Sequence, residues 1–258
     1  MLKKMLSASV FLLSFSSSVN ATIVEFQTSE GNIQVNLFDQ STPRTVENFL
    51  QYVDEQHYTT SVIHRVAPDF VVQGGGFTFE GGWPLTRLDV NATVINEPVY
   101  SNVKGTIAMA KSADPNSATD QWFFNLTDNA SNLDLQNEGF TVFGQVIGDG
   151  MATIEKIAKL NLCNNGGLTG IPMIDYSSQN CSEKSTPGIE NFVVINQVII
   201  IDSSEVTDAD LNPVKNTLLT TEEEQEETES SSSGGAFVWL TLLAFLLLSV
   251  RKMKISNN

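Results

Sequence analysis

From Thr22 to Thr28 the chain alternates apolar and polar residues, and it does so again from Gly31 to Phe38, with Ser29, Glu30 and Gly31 at the join. A period of two on both sides of a Gly-containing turn predicts a β-hairpin. The period then lengthens. Pro43 is followed by Val46, Phe49, Leu50 and Val53, three and four apart, which predicts an amphipathic helix with Pro43 in its first turn and Thr42 as N-cap. Strand-like runs recur over 69–73, 105–110, 121–125, 141–146 and 192–201, and a second helix is expected over 151–160. No Pro/Ser-rich break interrupts 22–202, so this stretch reads as one domain. Many short strands with two helices predict a mainly β fold, a closed antiparallel barrel with helical caps.

The ends follow other patterns. Lys3 and Lys4 precede an apolar stretch over 5–15, and small residues stand at Val19 and Ala21. That is the layout of a secretory signal over 1–21, cleaved after Ala21. Near the C-terminus, Gly234 and Gly235 precede an apolar run over 236–250, closed by Arg251, Lys252 and Lys254. Fifteen helical residues reach about 22 Å, short of a hydrocarbon core of about 30 Å. The basic end would stay cytoplasmic. The arrangement over 234–258 resembles the Gly-Gly C-terminal sorting tails of Gram-negative bacteria, which implies a membrane anchor that is at least transient; a permanent single span is the alternative. Residues 203–233, with one basic and nine acidic residues and a run of serines, read as a solvated, disordered linker. The expectation is an exported protein of the periplasm or cell surface, tethered or transiently anchored by its tail.

Charge and residue types then narrow the chemistry. The chain of 258 residues has a formal net charge of −16, and 22–202 alone carries eight basic against 21 acidic residues. This argues against nucleic acid as a partner, since phosphates call for a basic surface. Histidine is limited to His57 and His64, and the two cysteines lack zinc-site spacing, so no metal is expected. There is no Gly-x-Ser-x-Gly elbow. The glycines at 74–76 and 81–82 are not followed by Lys-Ser/Thr, so they do not form a phosphate loop. No cofactor is implied. In an exported chain Cys163 and Cys181 point to a disulfide staple, with two free thiols as the other arrangement.

One arginine remains inside an apolar run: Val62-Ile63-His64-Arg65, then Phe70-Val71-Val72-Gln73 and three glycines. Further on come Gly105 to Met109-Ala110-Lys111, Gln121-Trp122-Phe123-Phe124-Asn125, and Asn132-Leu133-Asp134 followed by Phe140 and Phe143-Gly144. These four stretches, in this order, resemble the cyclophilin family of peptidyl-prolyl cis-trans isomerases, most nearly its bacterial periplasmic branch. The resemblance implies an eight-stranded antiparallel barrel capped by two helices. It matches Arg65 to the catalytic arginine, and Phe70, Val71, Phe123, Leu133 and Phe140 to the walls of a proline pocket. Gln73, Ala110, Lys111 and Gln121 match positions along the peptide groove, Lys111 through its main chain, and His64 matches a pocket-edge histidine. Ile63 and Val71 depart from the usual Phe and Met. Asn132 and Phe140 stand where many eukaryotic members carry Trp and His. The implied partners are Pro-containing polypeptides, met by a monomer without metal or cofactor. The alternative is a surface module of the same fold that binds Pro-containing segments without turnover.

Overall fold

The computed structural model describes residues 22–204 and 211–219; the expected signal 1–21, the tail 234–258 and most of the 203–233 linker lie outside them. Among the described residues no helix is long and apolar enough to cross a membrane. In chain order the elements are β1 (Ile23–Thr28), β2 (Gly31–Leu37), α1 (Pro43–Asp54), β3 (Ser61–Val62), β4 (Arg65–Ala67), β5 (Val71–Gly74), β6 (Phe77–Thr78), β7 (Thr86–Arg87), β8 (Thr106–Met109) and β9 (Trp122–Asn125). After these come α2 (Ala130–Leu133), β10 (Val142–Ile147), α3 (Gly150–Ala158), β11 (Asn161–Asn165), β12 (Leu168–Met173), α4 (Ser178–Glu183) and β13 (Val194–Asp202).

All strands but β11 and β12 join one antiparallel sheet in the order β4-β5-β9-β8-β10-β2-β1-β13-β3-β6-β7. The sheet curls round on itself because β3 and β4, far apart in that order, are consecutive in the chain. Ile63 N–H donates to Val193 O (2.9 Å) on one side, and His64 N–H donates to Gln73 O (3.1 Å) on the other. Counted as one run, β3 and β4 close a ring of eight strands by chain continuity, and β6 and β7 form a short flange. The mainly β, eight-stranded architecture expected from the sequence is what the chain adopts.

The predicted hairpin is β1 and β2, in register from Ile23 opposite Asn36 to Thr28 opposite Gly31. Gly31 sits at φ +135°, where a side chain would also crowd Thr153, so the turn needs glycine. Inside the barrel lie Phe26, Phe49, Trp122, Phe124 and Phe143, all essentially fully buried. Helix α1 contributes Val46, Phe49 and Val53 to this packing, as its spacing predicted, together with Tyr52, while Leu50 is only partly buried against it; α3 contributes Ile154 and Ile157.

Three local features differ from the sequence reading or add to it. Thr42 holds the N-cap position of α1 as expected, but its side chain does not cap the helix: its Oγ1 donates to Phe38 O, while Glu97 accepts from Thr45 N (2.9 Å), Thr45 Oγ1 (2.8 Å) and Arg44 N (3.3 Å). Pro43 has no N–H to offer, so the first donors needing a partner are those of Arg44 and Thr45, and a carboxylate from another segment meets them. Second, the stretch between Cys163 and Cys181, which no pattern in the sequence assigned, is structured. It holds most of the β11–β12 hairpin, turning at Gly166 and Gly167, and the start of α4. The two cysteines form a disulfide, with Cα atoms 5.4 Å apart. Third, residues 211–219 of the expected linker lie against the body: Ser101 N–H donates to Val214 O (2.8 Å) and Asn216 N–H to Val99 O (3.0 Å). Leu211 joins an apolar cluster there, which a reading of the region by charge alone does not anticipate.

Candidate active site

Strand alternation sorts the motif residues between two sides of the sheet. Val66, Val72, Trp122, Phe124 and Ile107 point into the barrel core. Their neighbours Val71, Phe123 and Ala108 form a second cluster with Phe38, Leu133, Phe140 and Val142. Register aligns the site: Arg65 of β4 stands opposite Gln73 of β5, Gln73 opposite Phe123 of β9, and Phe123 opposite Ala108 of β8. Behind β4, Gly170 of β12 (φ +75°) lets the hairpin approach so closely that a side chain there would collide with Val66 O. The strand carrying Arg65 is thereby supported from the disulfide-linked side.

These residues enclose a cavity of about 280 Å³ lined by Arg65, Phe70, Val71, Gln73, Ala110, Lys111, Phe123, Asn132, Leu133, Gln136 and Phe140. Phe123 and Phe140 meet edge to face, with ring centroids 5.9 Å apart. Arg65 Nη1 donates to Gln73 Oε1 (3.2 Å), and Gln73 Nε2 donates to Gln121 Oε1 (2.9 Å). Gln121 itself lines an adjoining cleft of about 310 Å³ with Gln73, Arg87, Ala110, Lys111, Ser112, Ser117 and Thr119. A guanidinium has five N–H donors, and a single bond to Gln73 orients it without exhausting them.

The opposite wall is carried by the stretch from α2 to β10. Asn129 Nδ2 ties it to Phe70 O (3.0 Å), and Asn96 Nδ2 to Glu138 O and Gly139 O (both 2.9 Å). The Lys111 side chain has a role of its own beside the main-chain role implied by the resemblance. Its Nζ donates to Asn137 O and lies 4.9 Å from the Phe140 ring centroid, a cation–π arrangement that holds the ring. Burial lowers the Lys111 pKa, and Glu138 and Asp114 oppose that shift.

His64 is the one expected site residue that lines neither cavity. It is 2% exposed and packs on the Phe77 ring, with centroids 4.7 Å apart. Burial pushes its pKa down to about 4, against a smaller upward pull from the Gln121 side chain. Gln136 was not anticipated. Its signal was present, because 132, 133 and 136 share one side of a helical turn.

A barrel whose outer face carries an arginine at the edge of an apolar, ring-sized cavity defines a class. The family model described as "Cyclophilin type peptidyl-prolyl cis-trans isomerase/CLD" matches residues 23–176, and the chain belongs to that family. Among its relatives, "Peptidyl-prolyl cis-trans isomerase A" of Dickeya dadantii is 37% identical over 181 residues, covering 67% of this chain and 93% of the relative. "Peptidyl-prolyl cis-trans isomerase B" of Escherichia coli is 36% identical over 157 residues, covering 59% of this chain and 94% of the relative. The fold is similar to a cyclophilin type peptidyl-prolyl cis-trans isomerase of Cryptosporidium parvum, with TM-score 0.50 and 19% identity over 70% of this chain and 98% of that one.

Proposed function

We propose that this protein accelerates rotation about X-Pro bonds in exported polypeptides. The observation that carries the reading is the Arg65 guanidinium, held by Gln73 at the edge of the cavity walled by Phe70, Phe123, Leu133 and Phe140. An X-Pro amide interconverts in tens to hundreds of seconds over a barrier of about 18–20 kcal/mol. Reaching a typical turnover of ~10–10³ s⁻¹ asks for about 4–7 kcal/mol.

Twisting the amide ends its resonance and returns a lone pair to the prolyl nitrogen. An Arg65 N–H directed at that nitrogen meets a good acceptor only in the twisted state, so it stabilises the transition state selectively. Such a charge-assisted hydrogen bond contributes about 1.5–3 kcal/mol. The remainder comes from a dry cavity that grips the ring and from fixed dipoles at Gln73 and Gln121 around the turning carbonyl. The bound backbone runs along Ala110 and Lys111. No proton is transferred and no bond is cut, so the rotation asks only for binding and electrostatics. His64 acts behind the site, through packing.

The organisation that goes with this function is a signal over 1–21, the isomerase domain over 22–202, an acidic spacer and a Gly-Gly sorting tail over 234–258. The support is the basic, apolar and small-residue order at the N-terminus and the Gly-Gly, apolar, basic order at the C-terminus. A protease-coupled assay on a Pro-containing peptide tests the activity. Arg65→Ala should lower turnover at least about tenfold, the loss expected for one charge-assisted hydrogen bond, with the melting temperature nearly unchanged. Retained turnover in Arg65→Ala alongside a large loss of stability would overturn the assignment.

A further inference from the structure

Residues 211–219 lie beyond β13 and beyond the stretch that matches the family model, yet they reach the candidate site. The segment runs antiparallel to 99–101, with Lys215 opposite Tyr100. Ser101 N–H and Oγ donate to Val214 O and Lys215 O, and Asn216 N–H donates to Val99 O. From this anchorage the Asn216 side chain crosses to the cavity wall, where its Nδ2 donates to Asp134 O (2.9 Å). Asp134 is the residue that ends α2, and a carbonyl at a helix C-terminus needs a partner from outside the helix.

That carbonyl belongs to a wall with reason to need bracing. The stretch following α2 places Asn137, Glu138 and Gly139 successively at φ +54°, +63° and +73°, a left-handed run that two non-glycine residues adopt at a cost. With the end of α2 it supplies Leu133, Gln136 and Phe140 to the cavity. The buried Asp134 fixes it from one side, accepting from Asn102 N (2.8 Å) and Nδ2 (3.0 Å). Asn102 is next to Ser101, so the segment bonds one partner of this junction, Asp134, and the chain neighbour of the other. Leu211 adds an apolar contact to the cluster that contains Leu133 and Phe140.

We propose that residues 211–219 are a strap that sets the position of the Leu133–Phe140 wall, with Asn216 as a positioning residue for proline binding. The proposal rests on reading the Arg65 cavity as the isomerase centre. The test uses the full chain and three variants. Asn216→Asp keeps the size but puts an acceptor against Asp134 O, Asn216→Ala removes the side chain, and Lys215→Ala changes a residue that takes part only through its backbone.

Losing one net hydrogen bond corresponds to about a two- to tenfold change in an equilibrium. In both Asn216 variants, KM for a Pro-containing peptide should rise by that factor while kcat changes less than about twofold. Amide hydrogen exchange should quicken over 130–140 and stay unchanged in the barrel strands. Lys215→Ala should match the wild type in all of these. Unchanged KM in Asn216→Asp, or higher activity in it, overturns the proposal, as does a loss of protection spread across the whole barrel. If the wild-type chain itself fails to turn over the peptide, the isomerase reading falls and exchange alone judges the strap: unaltered protection over 130–140 overturns it, and a local loss there supports it.

Discussion

Arg65 and His64 are adjacent in one strand run, and their side chains part company: one lines the cavity, the other packs on Phe77. This separates two kinds of prediction. His64 has a pKa of about 4 in the folded protein, against an ordinary 6.5, so burial favours its neutral form. Between those values the unfolded chain binds more protons than the folded one. Stability contributed by neutral His64 is therefore complete above the unfolded pKa and is lost as pH falls from about 6.5 towards 4, on the order of 3 kcal/mol in all. Denaturant melts at pH 7 and pH 5 should show a larger drop for the wild type than for His64→Phe, which keeps a ring against Phe77 and has nothing to protonate. Equal drops would refute the account. Gln73 makes the complementary case. Its two hydrogen bonds orient Arg65 and connect it to Gln121, so Gln73→Ala should cut kcat/KM roughly tenfold, the scale of one bond to a charged group, with little change in melting temperature. The arginine, the aromatics and the glutamines were legible through the resemblance of the ordered motifs to a known family, and the strand register then accounts for their lying round one cavity and its adjoining cleft. His64 was less so, since a motif fixes a position without saying which way the side chain turns.

Among the elements, those with a sustained period were legible and those built from two or three residues were not. Strands β1, β2, β5, β8, β9, β10 and β13 and helices α1 and α3 fall where the pattern put them, within a few residues. Strands β3, β6 and β7 have two residues each, too few for any periodicity; β3 owes its pairing to the closing ring, and β6 and β7 extend from it as the flange. The β11–β12 hairpin escaped for a different reason: β11 reads Asn-Leu-Cys-Asn-Asn, poor strand material, and only the Gly166-Gly167 turn marks it. Such an element depends on tertiary support, and the Cys163–Cys181 disulfide provides it across a separation of 18 residues. In the chain-entropy model a loop of that size stabilises by about 3 kcal/mol. The Cys163→Ser/Cys181→Ser double variant should lose stability of that order in urea unfolding. Peptide mapping of non-reduced wild-type protein should recover the linked pair, and two alkylatable thiols would count against it.

For the whole molecule, the strap changes the geometry of attachment. With 211–219 docked on the body, the proposed organisation would leave residues 220–233, not the whole of 203–233, as the spacer before Gly234. For a flexible chain, fourteen residues give an r.m.s. reach of about 20 Å, against about 30 Å for thirty-one. A molecule tethered in this way would stay within about that distance of its anchor. On the sorting-tail reading proposed above, the apolar run over 236–250 is marginal for a lifelong span, the Gly pair precedes it, and Arg251, Lys252 and Lys254 would keep its far end cytoplasmic. A cleaved sorting signal suits that combination better than a permanent anchor. Mature protein isolated from cells should accordingly lack residues 236–258, and replacing Gly234 and Gly235 by Leu should leave an uncut form in the inner membrane. Recovery of intact C-terminal peptides ending at Asn258 from mature wild-type protein would rule out cleavage and leave the single-span anchor in its place.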